Sequence, residues 1–127
     1  MPSGGDFLVA QAQSDQPVHV DKQILAADAG PFDNVVAVVS TAHQIFIQKI
    51  TLSIYTHAAQ TITFVDDAAT PVKIAARLDA ASAAGVPDVI VWDFGPHGTA
   101  LTLGKNLDIT LSAAGIGARV HIEGYQK

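Results

Sequence analysis

The segment "HQIFIQKITLSIYTH" (43–57) is the longest regular stretch of the chain and decides the fold. Its aliphatic residues fall on odd positions up to 47 and on even positions from 50 onward: Ile45, Ile47, Ile50, Leu52 and Ile54. Side chains on a β-strand alternate between its two faces with a period of two. The change of parity at Gln48–Lys49 therefore predicts either a β-bulge or a strand that passes from one sheet to another.

Further strand-like segments follow one another along the chain and are bounded by turn residues. They are 18–27, 34–40, 60–67, 70–78, 86–96, 98–112 and 117–125. The run 34–40 has the pattern of a strand buried on both faces, and 98–112 is predicted to hold two short strands around Gly104. Residues 79–85 fit either a short helix or a loop of small residues. Seven to nine strands at spacings of about 8 to 12 residues favour an all-β, antiparallel β-sandwich. A jelly-roll-like sandwich is the first choice, and an immunoglobulin-like sandwich is the alternative.

The length of 127 residues indicates one domain. We expect residues 1–17 to form an N-terminal arm and residues 18–127 to form a single β-sandwich domain. The arm consists mainly of Gly, Ser, Gln and Asp around a short apolar patch, Phe7, Leu8 and Val9. A frayed chain terminus would have the same composition, so both interpretations stay open.

The composition excludes several classes of protein. Charged residues make up only 15% of the chain against 49% hydrophobic residues, which favours a surface covered by other subunits. The net charge is −5 and the basic residues are scattered singly, so we expect no nucleic-acid partner. Cysteine is absent, which is compatible with synthesis in a reducing cytoplasm. We see no signal peptide, and the apolar runs are too short to span a membrane, so no membrane partner is expected.

The residues that could carry chemistry are not arranged as a recognisable active site. The five histidines have neither the i, i+2 nor the i, i+4 spacing that puts two imidazoles on one metal: His19, His43, His57, His97 and His121. A metal site assembled from distant strands stays open, but we predict no metal and no cofactor. Eleven Asp and a single Glu fit turns better than paired catalytic acids. We therefore predict no catalytic residues and a protein that is not an enzyme.

Two longer stretches resemble a known family. They are "HQIFIQKITLSIYTHAAQTITFVDD" (43–67) and "DVIVWDFGPHGTALTLGKNLDITLSAAGIGARVHIEGYQK" (88–127). Their long strand before an acidic turn, "WDFGPxG" corner, "GKxLxITLSAAG" strand and C-terminal "GxVxIxGY" strand resemble the small jelly-roll decoration, or cement, proteins of tailed bacteriophages. The resemblance covers about residues 43–127, and the N-terminal third less clearly.

The resemblance implies a mechanical function. Such a protein binds the outer capsid surface of the virion, bridges neighbouring copies of the major capsid protein and stabilises the shell against the pressure of packaged DNA. It implies a homo-oligomer, a dimer or a trimer, synthesised in the host cytoplasm. Phe7, Leu8 and Val9 are then candidate interface anchors. The alternative is a receptor- or glycan-binding phage module, which would expose Trp92 or a tyrosine.

Overall fold

The computed structural model describes residues 16–79 and 88–127, and these residues form strands, turns and loops without a helix. None of the described residues therefore belongs to a helix long and apolar enough to cross a membrane. The nine strands are β1 (Gln16–Ile24), β2 (Phe32–Val36), β3 (Ile45–Thr56), β4 (Thr61–Asp66), β5 (Lys73–Leu78), β6 (Asp88–Asp93), β7 (Thr99–Ala100), β8 (Leu107–Leu111) and β9 (Gly117–Gln126). The all-β fold class predicted from the sequence is confirmed.

The strands form two antiparallel sheets. Sheet A has the order β1-β9-β3-β6, with the short β7 also paired to β3, and sheet B has the order β2-β8-β4-β5. The strand pairs are nested along the chain, from the outermost pair to the innermost: β1·β9, β2·β8, β3·β6 and β4·β5. The chain therefore follows the path of one long hairpin that is folded into two layers. This nesting is the double Greek-key arrangement of a jelly roll. The topology therefore agrees with the jelly roll rather than the immunoglobulin-like alternative.

The parity change in β3 is a β-bulge. The pairing of β3 with β9 shifts register between Ile47 and Lys49, so Gln48 is an extra residue in the ladder. As a result the apolar residues on both sides of the bulge point to the same face and are fully buried: Ile45, Ile47, Ile50, Leu52 and Ile54. β3 stays within sheet A throughout, and the bulge is the correct one of the two predicted alternatives.

The corner after β6 holds this bulge in place. The amide of Phe94 donates to the carbonyl oxygen of Gln48 at 2.8 Å, and the Gln48 side-chain amide donates to the carbonyl oxygen of Pro96 at 2.6 Å. The corner itself is closed by the carboxylate of Asp93, which accepts a hydrogen bond from the amide of Gly95 at 2.9 Å. The "WDFGP" stretch therefore binds both the backbone carbonyl and the side chain of the extra residue of the bulge.

The core lies between the two sheets and is made of the inward-facing residues of both. Phe64 of sheet B and Trp92 of sheet A meet edge to face, with ring centroids 5.5 Å apart. Trp92 is partly buried and packs against the core, while the next residue, Asp93, is exposed on the opposite side of β6. Neighbouring residues of a strand point to opposite faces, which explains why one is packed and the other exposed.

The prediction that 34–40 is a strand buried on both faces is wrong. β2 ends at Val36 and lies at the edge of sheet B, where β8 is its one neighbour among the described strands. Asn34 is exposed and has a positive φ of 54°, and its amide bonds to the carboxylate of Asp108 at 2.8 Å. Val39 is half exposed. The apolar run was misleading because valine also suits an edge strand and the loop after it.

Candidate functional site

The outer face of sheet A is formed by side chains of β1, β9, β3 and β6. Its side chains alternate with core residues along the strands and point away from sheet B. This face includes His19, Asp21 and Gln23 on β1, Arg119, His121, Glu123 and Tyr125 on β9, Thr51 and Ser53 on β3, and Val89 and Val91 on β6.

A cluster of two imidazoles and two carboxylates lies on this face, where β1 and β9 pair. His19 lies opposite Glu123 and Asp21 lies opposite His121, so the two histidines are diagonal neighbours. Their ring centroids are 4.5 Å apart, and the rings are nearly perpendicular. His121 Nδ1 lies 2.6 Å from Asp21 Oδ1, and its Nε2 lies 3.4 Å from Glu123 Oε1. We call these four residues the histidine–carboxylate cluster.

The contact between His121 and Asp21 favours the charged form of both groups. The hydrogen bond from His121 lowers the pKa of Asp21, and the same bond raises the pKa of His121. Glu123 adds a second acceptor that raises the pKa of His121 further. A shallow depression beside the cluster is lined by Asp21, Lys22, Gln23, Arg119 and Val120. Solvent and small ions therefore have direct access to these donor atoms.

The edge strands β5 and β6 carry exposed apolar side chains, which we call the apolar edge. Leu78 is 71% exposed, Val89 61% and Val91 50%. The two sheets are bridged at this edge by Arg77 and Asp88, whose Nη2 and Oδ2 atoms are 3.6 Å apart. An exposed strand edge with apolar side chains can pair with another chain.

A second polar cluster lies at one end of the sandwich. His57 Nδ1 lies 3.0 Å from Asp79 Oδ1, and Asp79 Oδ2 accepts a hydrogen bond from the amide of Ala58 at 3.0 Å. Asp88 Oδ2 is 3.9 Å from the same His57 nitrogen. The side chains of His57 and Asp79 are almost fully buried. This cluster ties the end of β5 to the loop after β3, which is a structural function.

Asp66 is a buried carboxylate that joins three segments of the chain. It accepts hydrogen bonds from the hydroxyl and amide of Thr102 at 2.6 and 2.8 Å, and from the amides of Val72 and Ala68 at 2.9 and 3.2 Å. Burial by itself raises the pKa of Asp66, but these hydrogen bonds outweigh it and hold the pKa below its usual value. The sequence indicates an acidic turn here and does not reveal that the carboxylate is buried.

The residues singled out from the sequence have different outcomes. Phe7, Leu8 and Val9 lie outside the described residues. Tyr125 stacks on Phe46 with ring centroids 5.0 Å apart. Tyr55 is 45% exposed, and its hydroxyl donates to the carbonyl oxygen of Ile24.

The histidine–carboxylate cluster was not found by sequence spacing. Its local signal is present: His19 and Asp21, and likewise His121 and Glu123, are two residues apart and so share a strand face. The missing information was the pairing of β1 with β9, which brings together residues as far apart in sequence as Asp21 and His121.

No protein-family model matches the chain, and no curated protein matches it. Among solved structures, the chain is similar to a cryo-EM structure of a virus-like particle of the extra small virus of the giant freshwater prawn Macrobrachium rosenbergii. The two are 9% identical in sequence, with a TM-score of 0.42, and the match covers 88% of this chain and 77% of that chain. At this score the likeness carries no argument about function.

Proposed function

We propose that the chain is a viral structural protein that decorates the head of a tailed bacteriophage. It binds the outer capsid surface, bridges neighbouring copies of the major capsid protein and stabilises the shell against internal DNA pressure. The observation that supports this best is where the family-like stretches lie. They supply β3, β4 and β6–β9, and the "WDFGP" corner among them is hydrogen-bonded to the bulge of β3. These motifs make the jelly roll rigid, and a cement protein requires a rigid fold to bridge capsid subunits.

We further propose that the protein acts as a homo-oligomer, a dimer or a trimer, through the apolar edge. Leu78, Val89 and Val91 are at least half exposed, and among the described strands β6 has a hydrogen-bonding partner on one side only. Burial of apolar area is the main driving force of subunit association. The candidate anchors of the arm, Phe7, Leu8 and Val9, would then contact the capsid.

A non-enzymatic role is part of the proposal. The polar clusters of the described residues are built from His, Asp and Glu, and the buried ones are saturated by internal hydrogen bonds, as for Asp66 and Asp79. One hydroxyl among the described residues does contact an imidazole, since Ser40 Oγ lies 2.6 Å from His43 Nδ1 in the turn before β3. We assign this pair a local structural function, because the Ser40 hydroxyl also accepts a hydrogen bond from the Ala42 amide. The arrangement serves binding better than it serves turnover.

The second candidate function is a receptor- or glycan-binding module on the virion. It is favoured by Tyr55, which is 45% exposed, and by the stacked pair of Phe46 and Tyr125, because aromatic faces bind sugars. Trp92 does not support it, since that ring packs against Phe64 and the core. Binding of the isolated protein to a glycan array or to host cells, with no binding to capsids, would favour this function.

The proposal is tested with undecorated heads built from the major capsid protein of the same phage. The purified chain is mixed with these heads, and co-sedimentation and the temperature of DNA release are measured. Binding together with a higher release temperature is the expected result. If the protein neither sediments with the heads nor raises that temperature, the cement function is wrong.

Variants separate the two proposed surfaces. The combined substitutions Phe7→Ser, Leu8→Ser and Val9→Ser should weaken head binding while self-association persists. The pair Val89→Thr and Val91→Thr should weaken self-association, because it keeps side-chain shape and β-propensity but removes apolar surface. Val39→Thr is the matched control, since Val39 is half exposed and follows β2 at the opposite edge of sheet B.

A further inference from the structure

We propose that His19, Asp21 and His121 bind a divalent transition-metal ion such as Zn²⁺, with Glu123 as the residue that orients His121. Imidazole nitrogen and carboxylate oxygen are the ligands that Zn²⁺ takes besides thiolate. The inference rests on these four residues and is independent of the proposed function.

The donor atoms already converge on one point. One ligand atom from each of His19, Asp21 and His121 lies within 4.8 Å of the others. Ligands of a tetrahedral zinc lie about 2.0 to 2.2 Å from the ion. The distances between ligand atoms around such an ion are close to the distances between the three donor atoms in the structure. Small rotations of the side chains are therefore enough to bring all three donor atoms into contact with one ion. The backbone need not move, because the β1·β9 ladder is continuous through these residues.

The two ring nitrogens of His121 face different partners, which suits one of them to bind the ion and the other to donate a hydrogen bond. Nδ1 shares a proton with Asp21 Oδ1 at 2.6 Å, and Nε2 faces Glu123 Oε1 at 3.4 Å. On binding, the ion takes the place of the Nδ1 proton, which is released to solvent, and Asp21 becomes a ligand instead of an acceptor. Glu123 then accepts the hydrogen bond from Nε2–H. A carboxylate behind a metal-bound imidazole is the usual outer partner in zinc sites.

The surroundings favour this cluster over the buried one. His19 and Asp21 are exposed, and His121 is half exposed, so an ion and its remaining water ligand can be accommodated. In the buried cluster of His57, Asp79 and Asp88, the guanidinium of Arg77 lies 3.6 Å from Asp88, and a cation there would be repelled. Two cations lie near the outer cluster: Arg119, which the carboxylates of Asp21 and Glu123 offset, and Lys22, whose Nζ lies 5.0 Å from the centroid of the Phe32 ring.

The test uses the full chain without a histidine tag and with ZnCl₂ as the probe. Isothermal titration calorimetry should give one ion per chain. His19→Gln and His121→Gln should each weaken binding at least about tenfold, because even loss of an outer partner costs about 10- to 100-fold. His97→Gln is the matched control, since His97 is an exposed histidine outside the cluster, and its affinity should equal that of the wild type. Glu123→Gln should lose less affinity for Zn²⁺ than either histidine variant, because its amide oxygen can still accept the hydrogen bond from Nε2–H of His121.

A second measurement identifies the ligands directly. Histidine ring resonances in NMR spectra should shift on Zn²⁺ addition for His19 and His121 and stay in place for His97. Circular dichroism confirms that each variant is folded before its affinity is compared. Absence of binding by the folded wild type would overturn the proposal. Binding that survives both His19→Gln and His121→Gln would also overturn it, because the ion would then occupy another site.

Discussion

The carbonyl oxygen of Phe46 occupies the space that a side chain at Gly124 would need. A Cβ built on Gly124 would overlap this oxygen and would also lie 3.1 Å from the Cα of Ile47. Gly124 pairs with Ile47 immediately before the bulge at Gln48. The bulge that keeps β3 in register therefore depends on a residue without a side chain on the neighbouring strand.

Gly124→Ala should destabilise the protein by about 3 kcal/mol, at the upper end of the cost of overpacking, because the obstacle is backbone and cannot rotate away. Urea denaturation followed by circular dichroism measures the change. Gly95→Ala is the control: nothing lies within 4 Å of its Cβ position, but φ is +83°, so only backbone strain of about 1 to 2 kcal/mol applies. If Gly124→Ala loses no more stability than Gly95→Ala, the close approach is not a constraint.

The side chain of Gln48 should contribute to stability through the corner after β6. Gln48→Ala removes the 2.6 Å hydrogen bond to the carbonyl oxygen of Pro96 but leaves the backbone bond from Phe94 intact. We expect a loss of about 1 kcal/mol, typical of one net hydrogen bond. Gln23→Ala is the comparison: it removes only the longer, 3.3 Å hydrogen bond to the exposed Tyr55 hydroxyl and should change the free energy of unfolding by less than about 0.5 kcal/mol. Equal losses for the two variants would contradict a specific function for Gln48.

The sequence predicted the bulge because its signal is local. Five apolar residues switch parity within one strand, and only an extra residue near Gln48 puts all of them on one face. The run 34–40 failed for the opposite reason. Its valines have no period that distinguishes a buried strand from an edge strand, and the position of β2 at the edge of sheet B depends on the whole topology.

Asp66→Asn should destabilise the protein by about 3 kcal/mol. The carboxylate accepts four hydrogen bonds, and an amide would turn an NH₂ group towards donors such as the Thr102 amide or the Val72 amide. Asp93→Asn is the matched control, since an exposed Asn can still accept the hydrogen bond from Gly95. Comparable losses of unfolding free energy in the two variants would show that burial of the Asp66 carboxylate contributes nothing.

Acid should remove the contribution of Asp66. Its pKa is lower in the folded protein than the value of about 3.9 in an unfolded chain, so the unfolded state binds more protons between the two values. The stability it provides is complete above the unfolded pKa and is lost as the pH falls through the folded one. Carbon-13 NMR titration of the Asp66 carboxyl group measures this directly. A midpoint at or above about 3.9 would contradict the structure.

The polar clusters could not be predicted from the sequence, because their residues belong to different parts of the chain. Asp66 and Thr102 are 36 residues apart and Asp21 and His121 are 100 apart, so neither pair can be found by spacing. Asp79 begins the stretch 79–85 predicted as a short helix or a loop, of which 80–85 lie outside the described residues; its carboxylate is bound by His57 and the Ala58 amide, which no local pattern indicates. Local patterns predict which face a residue occupies, and only the strand order determines its neighbours.

Asp108→Asn should stabilise the protein at neutral pH. Burial raises the pKa of Asp108, and the carboxylates of Asp67, Asp33 and Asp66 raise it further, although the hydrogen bond from the Asn34 amide acts the other way. The folded state therefore binds more protons than the unfolded state in the window above about pH 3.9. Stability falls as the pH rises through that window, and the ionised side chain costs stability above it.

Asparagine at position 108 removes this charge and keeps an oxygen that can accept a hydrogen bond from the Asn34 amide. In the structure this amide donates to Asp108 Oδ1 at 2.8 Å. Urea midpoints at pH 7 and pH 3 provide the test, with a gain expected at pH 7 and little change at pH 3, where Asp108 is protonated in both states. Asp108→Ala removes the acceptor as well as the charge, so it should be less stable than Asp108→Asn at both pH values. A loss of stability for Asp108→Asn at pH 7 would mean that the hydrogen bond to Asn34 requires the full negative charge.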